Sequence, residues 1–319
     1  MAETLMSMAE AGKYTRPFTA GVQVQIVEEE PMLDFIRWKN LPAGTSSYEW
    51  FEESDLPTSA FRAVGGSYTA DTGIFLPRIE PLSILGGEME IDNFITDTQG
   101  SKLPDFVTRH VEMKMRAVRN DWLLEFFEGD VGIDTNGFDG LRVRATESSM
   151  DFDMSGSSST DVAALTLAQI DEILDAVHGR NGDKVICSNQ FLRRKVSALV
   201  RAAGQTREMV DRRNFGEQLT AYAGTPMVVI QKEHDQSSIL AFDEDPGDGG
   251  DDAASLYIIR FGDEEDVFGI LGAGGAWEVK FITDEQESNP RDLRRIDVYV
   301  GLVTAHPRAF ARLNSIGQL

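Results

Sequence analysis

The clearest hydrophobic pattern in the chain runs from Leu103 to Glu128, LPDFVTRHVEMKMRAVRNDWLLEFFE. Apolar side chains fall at Phe106, Val107, Val111, Met115, Val118, Trp122 and Phe126. Steps of three and four place them on one stripe of an α-helix. Arg109, Lys114, Arg116, Arg119 and Asp121 are expected on the opposite side. Pro104 suits the first turn, where its missing N–H costs nothing, and Gly129 is a plausible stop. At 1.5 Å per residue the helix would be about 39 Å long, enough to carry flatter pieces laid across it.

The same periodicity predicts two shorter helices. In residues 166–177 Leu167, Ile170, Ile173, Leu174 and Val177 form a stripe, with Thr166 as candidate cap. In residues 190–203 Leu192, Val196, Leu199 and Val200 face inward, and Arg193, Arg194, Lys195 and Arg201 outward. Short apolar runs predict strands at 184–187, 226–231, 237–242, 255–261 and 277–282. The interval 204–225 is expected to be a mobile loop and SGSSST at 155–160 a linker. A mixed sheet flanked by helices follows, an α+β fold.

Before the long helix the pattern changes. A short helix is expected over 3–11, and residues 13–25 would not pack alone. Residues 22–36 alternate and then turn apolar at Met32, Leu33, Phe35 and Ile36, like an arm that needs a surface to lie on. Residues 37–99 read as a long two-stranded excursion. Tyr48 and Trp50 alternate on one face, and DLPTSAFRAVGGSYTADTG forms the middle. Pro77 and Pro81 exclude a central strand position. An isolated hairpin of that length is marginal in water, so it should project and be stable on a partner.

Charge narrows the classes. The chain has 53 acidic and 30 basic residues, net −23, which disfavours nucleic-acid and anionic-membrane binding. The single cysteine, Cys187, lies in an apolar run and forms no intramolecular disulfide. No apolar run reaches transmembrane length. P-loop, zincin and nucleophile-elbow motifs are absent, and His110, His178, His234 and His306 look scattered. No catalytic, cofactor or metal residues are assigned. Asp243, Glu244, Asp245, Asp248, Asp251 and Asp252 invite a calcium site, but the EF-hand spacing and flanking helices are missing. A solvated acidic loop is expected there and over GDEEDVFG, 262–269.

The order of these pieces resembles the major capsid proteins of tailed bacteriophages, the Hong Kong 97-type fold: arm, Gly-rich hairpin, PLSILGGEMEIDNFI, long helix. NGFDGLRVR at 136–144, KVICSNQFLRRKVSALVRAAG at 184–204 and RIDVYVGLVTAHPRAFARL at 295–313 extend the resemblance over nearly the whole chain. It implies an N-arm over 1–36, an E-loop hairpin and its base over 37–99 and a P domain over 100–160. An A domain over 161–290 and closing strands over 291–319 complete it. It implies self-assembly into hexamers and pentamers of an icosahedral virion capsid, formed in the host cytoplasm around double-stranded DNA without specific binding. Scaffolding, portal and decoration proteins are the other implied partners. Intersubunit contacts are expected at Trp50, which anchors the hairpin base, and at Phe61, Arg62, Tyr68 and Phe75. Some relatives join subunits by a Lys–Asn isopeptide bond; residues 57–77 hold no lysine, so none is expected. Three alternatives stay open: an encapsulin-like compartment shell, an acidic α/β enzyme with a lid-like hairpin, and a calcium-binding protein.

Overall fold

A computed structural model describes residues 32–33, 35–92, 94, 103–154, 162–204, 208–212, 217–232, 237–245, 253–272, 284–285 and 291–318. The helix expected over 3–11, the serine-rich run 155–160, the strand expected over 277–282 and most of the acidic run 243–252 lie outside the described residues.

The elements follow in chain order. Trp38–Asn40 is β1, Ser47–Asp55 β2, Ile74–Pro81 β3 and Ser83–Asp92 β4. Leu103–Glu128 is α1, Leu141–Glu147 α2 and Asp151–Asp153 β5. Leu167–Ala176 is α3, Lys184–Ser188 β6 and Gln190–Ala202 α4. Glu208–Arg212 is β7, Glu217–Tyr222 β8, Thr225–Val229 β9 and Ala253–Arg260 β10. Val267–Leu271 is β11, Asp284–Glu285 β12, Arg291–Thr304 β13 and Phe310–Gly317 β14.

One five-stranded sheet is built on β13. It pairs antiparallel with β4, β11 and β12, and β1 joins β11 in parallel. A seven-stranded sheet has the order β5-β14-β10-β6-β9-β8-β7. The chain crosses between the sheets three times: from β4 to β5 through α1 and α2, and by short connections from β10 to β11 and from β13 to β14. A separate ribbon consists of β2 and β3 alone.

The seven-stranded sheet is buried on both faces, so its central strands read as continuous apolar runs. Val185, Cys187, Tyr257 and Ile259 pack with Met115, Trp122, Phe126 and Phe127 of α1. Their sequence neighbours Ile186, Leu256 and Ile258 pack with Ile170 and Ile173 of α3 and Leu192 and Val196 of α4. The strand period of two thus sends alternate residues into two cores. The α1 core also takes Ile296, Val298, Val300 and Leu302 of β13, so one helix serves both sheets. That double contact explains a difference from the sequence expectation. Arg119, expected on the outer face, is 0% exposed, and Leu123 and Phe127 are buried beside it. A single stripe suffices against one sheet; a helix wedged between two buries a wider arc.

Thr166 caps α3 as expected, and α4 has a cap that the sequence reading did not name. The Gln169 side chain accepts from the Thr166 backbone N–H and hydroxyl, and Asn189 accepts from Leu192 N–H. A side chain on Gly86 would overlap the Ile296 carbonyl of the paired β13, so only glycine fits there; at Gly87 it would meet the flexible end of Lys114 from α1. Met32, Leu33 and Ile36 at the end of the arm are buried in this chain's own α1 core rather than left for a neighbour.

Three expectations, two of loops and one of a strand, are corrected. The interval 204–225 holds the β7–β8 hairpin, which extends the seven-stranded sheet through β9. Residues 237–242 form no strand. The Ser238 hydroxyl donates to backbone carbonyls at Ile230 and Leu240, and only an isolated Gln231–Ser238 bridge forms. GDEEDVFG is not a solvated loop throughout. Its second half opens the buried β11, and Asp266 is 3% exposed.

Candidate assembly surface

The ribbon's two faces are set by its register. Directly paired residues share a face: Glu49 with Ile79, Phe51 with Pro77, and Glu53 with Phe75. That face is open, and Phe51, Phe75 and Ile79 are exposed. The other face carries the pairs Tyr48–Glu80, Trp50–Arg78 and Glu52–Leu76. Its base is seated on the body. Tyr48 stacks on Trp50 at 6.0 Å and meets the Phe268 ring edge-on at 5.5 Å. Leu41, Ile270 and Val303 complete this small core.

A buried ion pair joins ribbon to body. Arg144 of α2 donates to Glu80 at 2.6 Å and to the Thr304 hydroxyl at 3.2 Å. Its Nε donates to the Asp139 carbonyl at 2.6 Å. Arg78 pairs with Glu52 across the strands at 2.8 Å. Between ribbon and body lies a cleft of about 380 Å³, lined by Trp50, Glu52, Arg78, Glu80, Arg144 and Phe310. Lys39 of β1 bonds to Tyr48 at 3.3 Å and pairs with Glu264, so the lysine at the ribbon base is already engaged.

The tip, residues 56–73, has no strand, yet polar contacts order it. Asp71 accepts from the Thr58 backbone at 2.9 Å and hydroxyl at 2.7 Å, and from Thr72 N–H at 2.9 Å. The Thr58 bonds hold its carboxyl below the usual range. Arg62 donates to the Gly66 carbonyl at 3.2 Å and lies over the Tyr68 ring at 5.3 Å. Gly65 turns at φ +86°. At the neck a side chain on Gly73 would crowd the Asp55 carbonyl. No described apolar cluster includes the tip, and Phe61 and Val64 stand fully out, at 108% and 106% exposure. The tip is therefore shaped by its own polar bonds while its apolar side chains lie uncovered, as a surface awaiting contact would be.

Of the five residues singled out in the sequence, Trp50 sits half-buried at the ribbon base. Phe61, Arg62, Tyr68 and Phe75 are exposed on the tip and open face. Sequence reasoning missed Arg144 and Glu80, because a charged pair sixty-four positions apart leaves no periodic trace. It also missed that two histidines meet: the His178 and His306 rings lie 4.3 Å apart. Among the described residues no group of His, Cys, Asp and Glu has metal-holding geometry, and Glu244 is bound to Arg312 and Ser255. Burial pushes the Cys187 thiol up, away from the reactive thiolate.

The sequence matches no family model and no curated protein. Solved structures do match. A chain of the holo-SrpI encapsulin complex from Synechococcus elongatus is similar at TM-score 0.64 and 13% identity, covering 99% of this chain and 97% of that one. The capsid of a native GTA particle gives 0.55 at 14% identity, with 99% and 96% covered. A chain from Microbacterium phage Oxtober96 gives 0.57 at 16%, with 98% and 95% covered. The chain has the Hong Kong 97-type capsid fold. The long helix α1, the spine of the molecule, serves both sheets, and the sheet built on β13 takes β1 and β4, leaving residues 47–81 as a free ribbon.

Proposed function

We propose that this protein is the structural subunit of a closed shell, the major capsid protein of a tailed bacteriophage. The observation that carries the reading is the E-loop, an ordered ribbon whose aromatic face and tip its own chain leaves uncovered. Phe61, Arg62, Tyr68 and Phe75 lie against neighbouring subunits in this reading, and Trp50 holds the base. Repeated contacts of this kind close a shell when each subunit presents matching surfaces at set angles. Many modest interfaces then act together. Hexamers and pentamers form an icosahedral virion around double-stranded DNA, with scaffolding, portal and decoration proteins as further partners. The net charge of −23 disfavours tight adhesion to that DNA.

Light scattering followed by negative-stain electron microscopy of the full-length protein tests this. Closed shells, or free hexamers and pentamers, are expected. A monodisperse monomer or dimer that persists with crowding agent and salt overturns it.

One observation favours a second reading. The encapsulin chain is similar at TM-score 0.64, against 0.55 and 0.57 for the other two structures. A compartment shell would enclose a protein cargo. Particles from the native host decide: nuclease-protected DNA supports the virion, and a stoichiometric enclosed protein supports the compartment.

A further inference from the structure

We propose that His178, Arg260, Asp266 and His306 form an acid-opened latch on the two short crossings between the sheets, β10 to β11 and β13 to β14. The four come from four places in the chain. His178 follows α3, Arg260 ends β10, Asp266 precedes β11, and His306 lies in the β13–β14 turn. They meet where both connections pass from one sheet to the other. Backbone bonds tie the same spot: Ala305 N–H donates to Asp266 O at 3.0 Å, Arg260 N–H to Ala309 O at 2.8 Å, and His178 N–H to Arg308 O at 3.0 Å.

The contacts favour neutral imidazoles. Arg260 Nη1 lies 2.8 Å from His178 Nδ1 and 3.5 Å from Nε2, so a fixed positive charge sits against the Nδ1 side of the ring. The ring proton is then on Nε2, which donates to Asp266 Oδ1 at 2.9 Å. Arg260 also donates to the same carboxylate at 3.1 Å. His306 Nδ1 accepts the Arg308 backbone N–H at 3.0 Å. A proton added at His178 would set a cation against the Arg260 guanidinium, one added at His306 Nδ1 would break its bond from Arg308, and charge would accumulate between two rings 4.3 Å apart.

The charged surroundings of His178 divide by sign. His306 and Arg260 oppose its protonation and Asp266 favours it; Glu265 acts on Asp266, and Asp175, Arg260 and Arg308 act on Lys184 of β6. Burial, then His306, hold the His178 imidazole below its ordinary range, and Asp266 only partly offsets them. The neutral state is therefore the folded one. Stability at this joint is present above the ordinary histidine value of about 6.5 and is lost as pH falls through the lowered value. Asp266, whose carboxyl burial pushes up, takes its proton in a more acidic range.

The test is amide hydrogen exchange by mass spectrometry on the full-length protein, expressed as protection factors so that intrinsic pH effects cancel. Peptides holding Ala305, Gly262 and His178 are compared with Ile258 and Leu313 in the sheet core. Between pH 7.5 and 5.5 the joint should lose protection relative to the core by up to about tenfold per pH unit. His178→Asn retains an acceptor for Arg260 and cannot titrate, so its joint should stay protected. An equal loss in that variant, or no loss in the wild type, overturns the latch. Should His178→Asn fail to fold, His306→Asn serves. Removing the neighbouring imidazole eases protonation of folded His178, so the joint should lose less protection over the same range; a loss as large as the wild type's overturns the proposal.

Discussion

Arg144 reaches Glu80 at 2.6 Å and is the only charged residue of α2 that is buried, so this pair is the charged hold of α2 on the ribbon. The same guanidinium holds the Asp139 carbonyl and the Thr304 hydroxyl. It therefore ties the ribbon to the spine-helix exit loop and to the end of β13. Arg144→Ala would leave the Glu80 carboxylate facing a largely buried cleft. A cost of about 2–4 kcal/mol is expected, since removing one partner of a buried pair strands the other. Limited proteolysis should then cut within residues 47–81 well before the rest of the chain. Cleavage at the wild-type rate would show that the pair does not set the ribbon's angle.

Phe61 and Arg62 separate stability from assembly. Phe61 is fully exposed, and Arg62 bonds only within the tip. Phe61→Ala and Arg62→Ala should each shift the stability of the unassembled subunit by less than about 0.5 kcal/mol, as exposed substitutions do. Particle yield by light scattering should fall at least tenfold if these side chains anchor a neighbour. Unchanged yield from both variants would remove the tip from the interface.

What was legible in the sequence follows from the range of the forces involved. The spine helix is readable because its stripe repeats locally, and its observed bounds, Leu103–Glu128, are those that the apolar run, Pro104 and Gly129 define. The helices α3 and α4 carry both a stripe and a cap. The E-loop is readable by the absence of burial, since its alternation has no second element to cover it. The β7–β8 hairpin was not, because DRRNFGEQLTAY shows neither a clean period nor a tight-turn pair. Asp266 looked like one more acid in an acidic run, and only the tertiary fold brings His178 and Arg260 to it. Arg119 was misplaced for the same reason. Periodicity tells which side of a helix is apolar, and packing against two sheets decides how wide the buried side becomes.

Covalent cross-linking through the E-loop is not expected. Residues 57–77 contain no lysine, and Lys39 at the base is held by Tyr48 and Glu264 beneath the ribbon. Assembled shells boiled in denaturant should run as a single monomer band. A ladder of covalent oligomers would refute this, and its loss in Lys39→Arg would identify the donor.

Glu128 closes the spine helix, where burial and then the nearby Asp243 carboxylate push its carboxyl up to about 6, Arg142 partly opposing them. The helix C-terminus, with its outward carbonyls, is itself a poor place for an anion. A folded value raised above the ordinary 4.5 means that the fold prefers the protonated form. Its contribution is fully favourable below pH 4.5 and is lost as pH rises through about 6. Glu128→Gln mimics the protonated carboxyl at every pH. The variant should melt above the wild type at pH 7.5, and the gap should close on titration to pH 4.5. A variant that melts lower at pH 7.5 would mean that the Glu128 anion is held by Arg142 more strongly than burial penalises it.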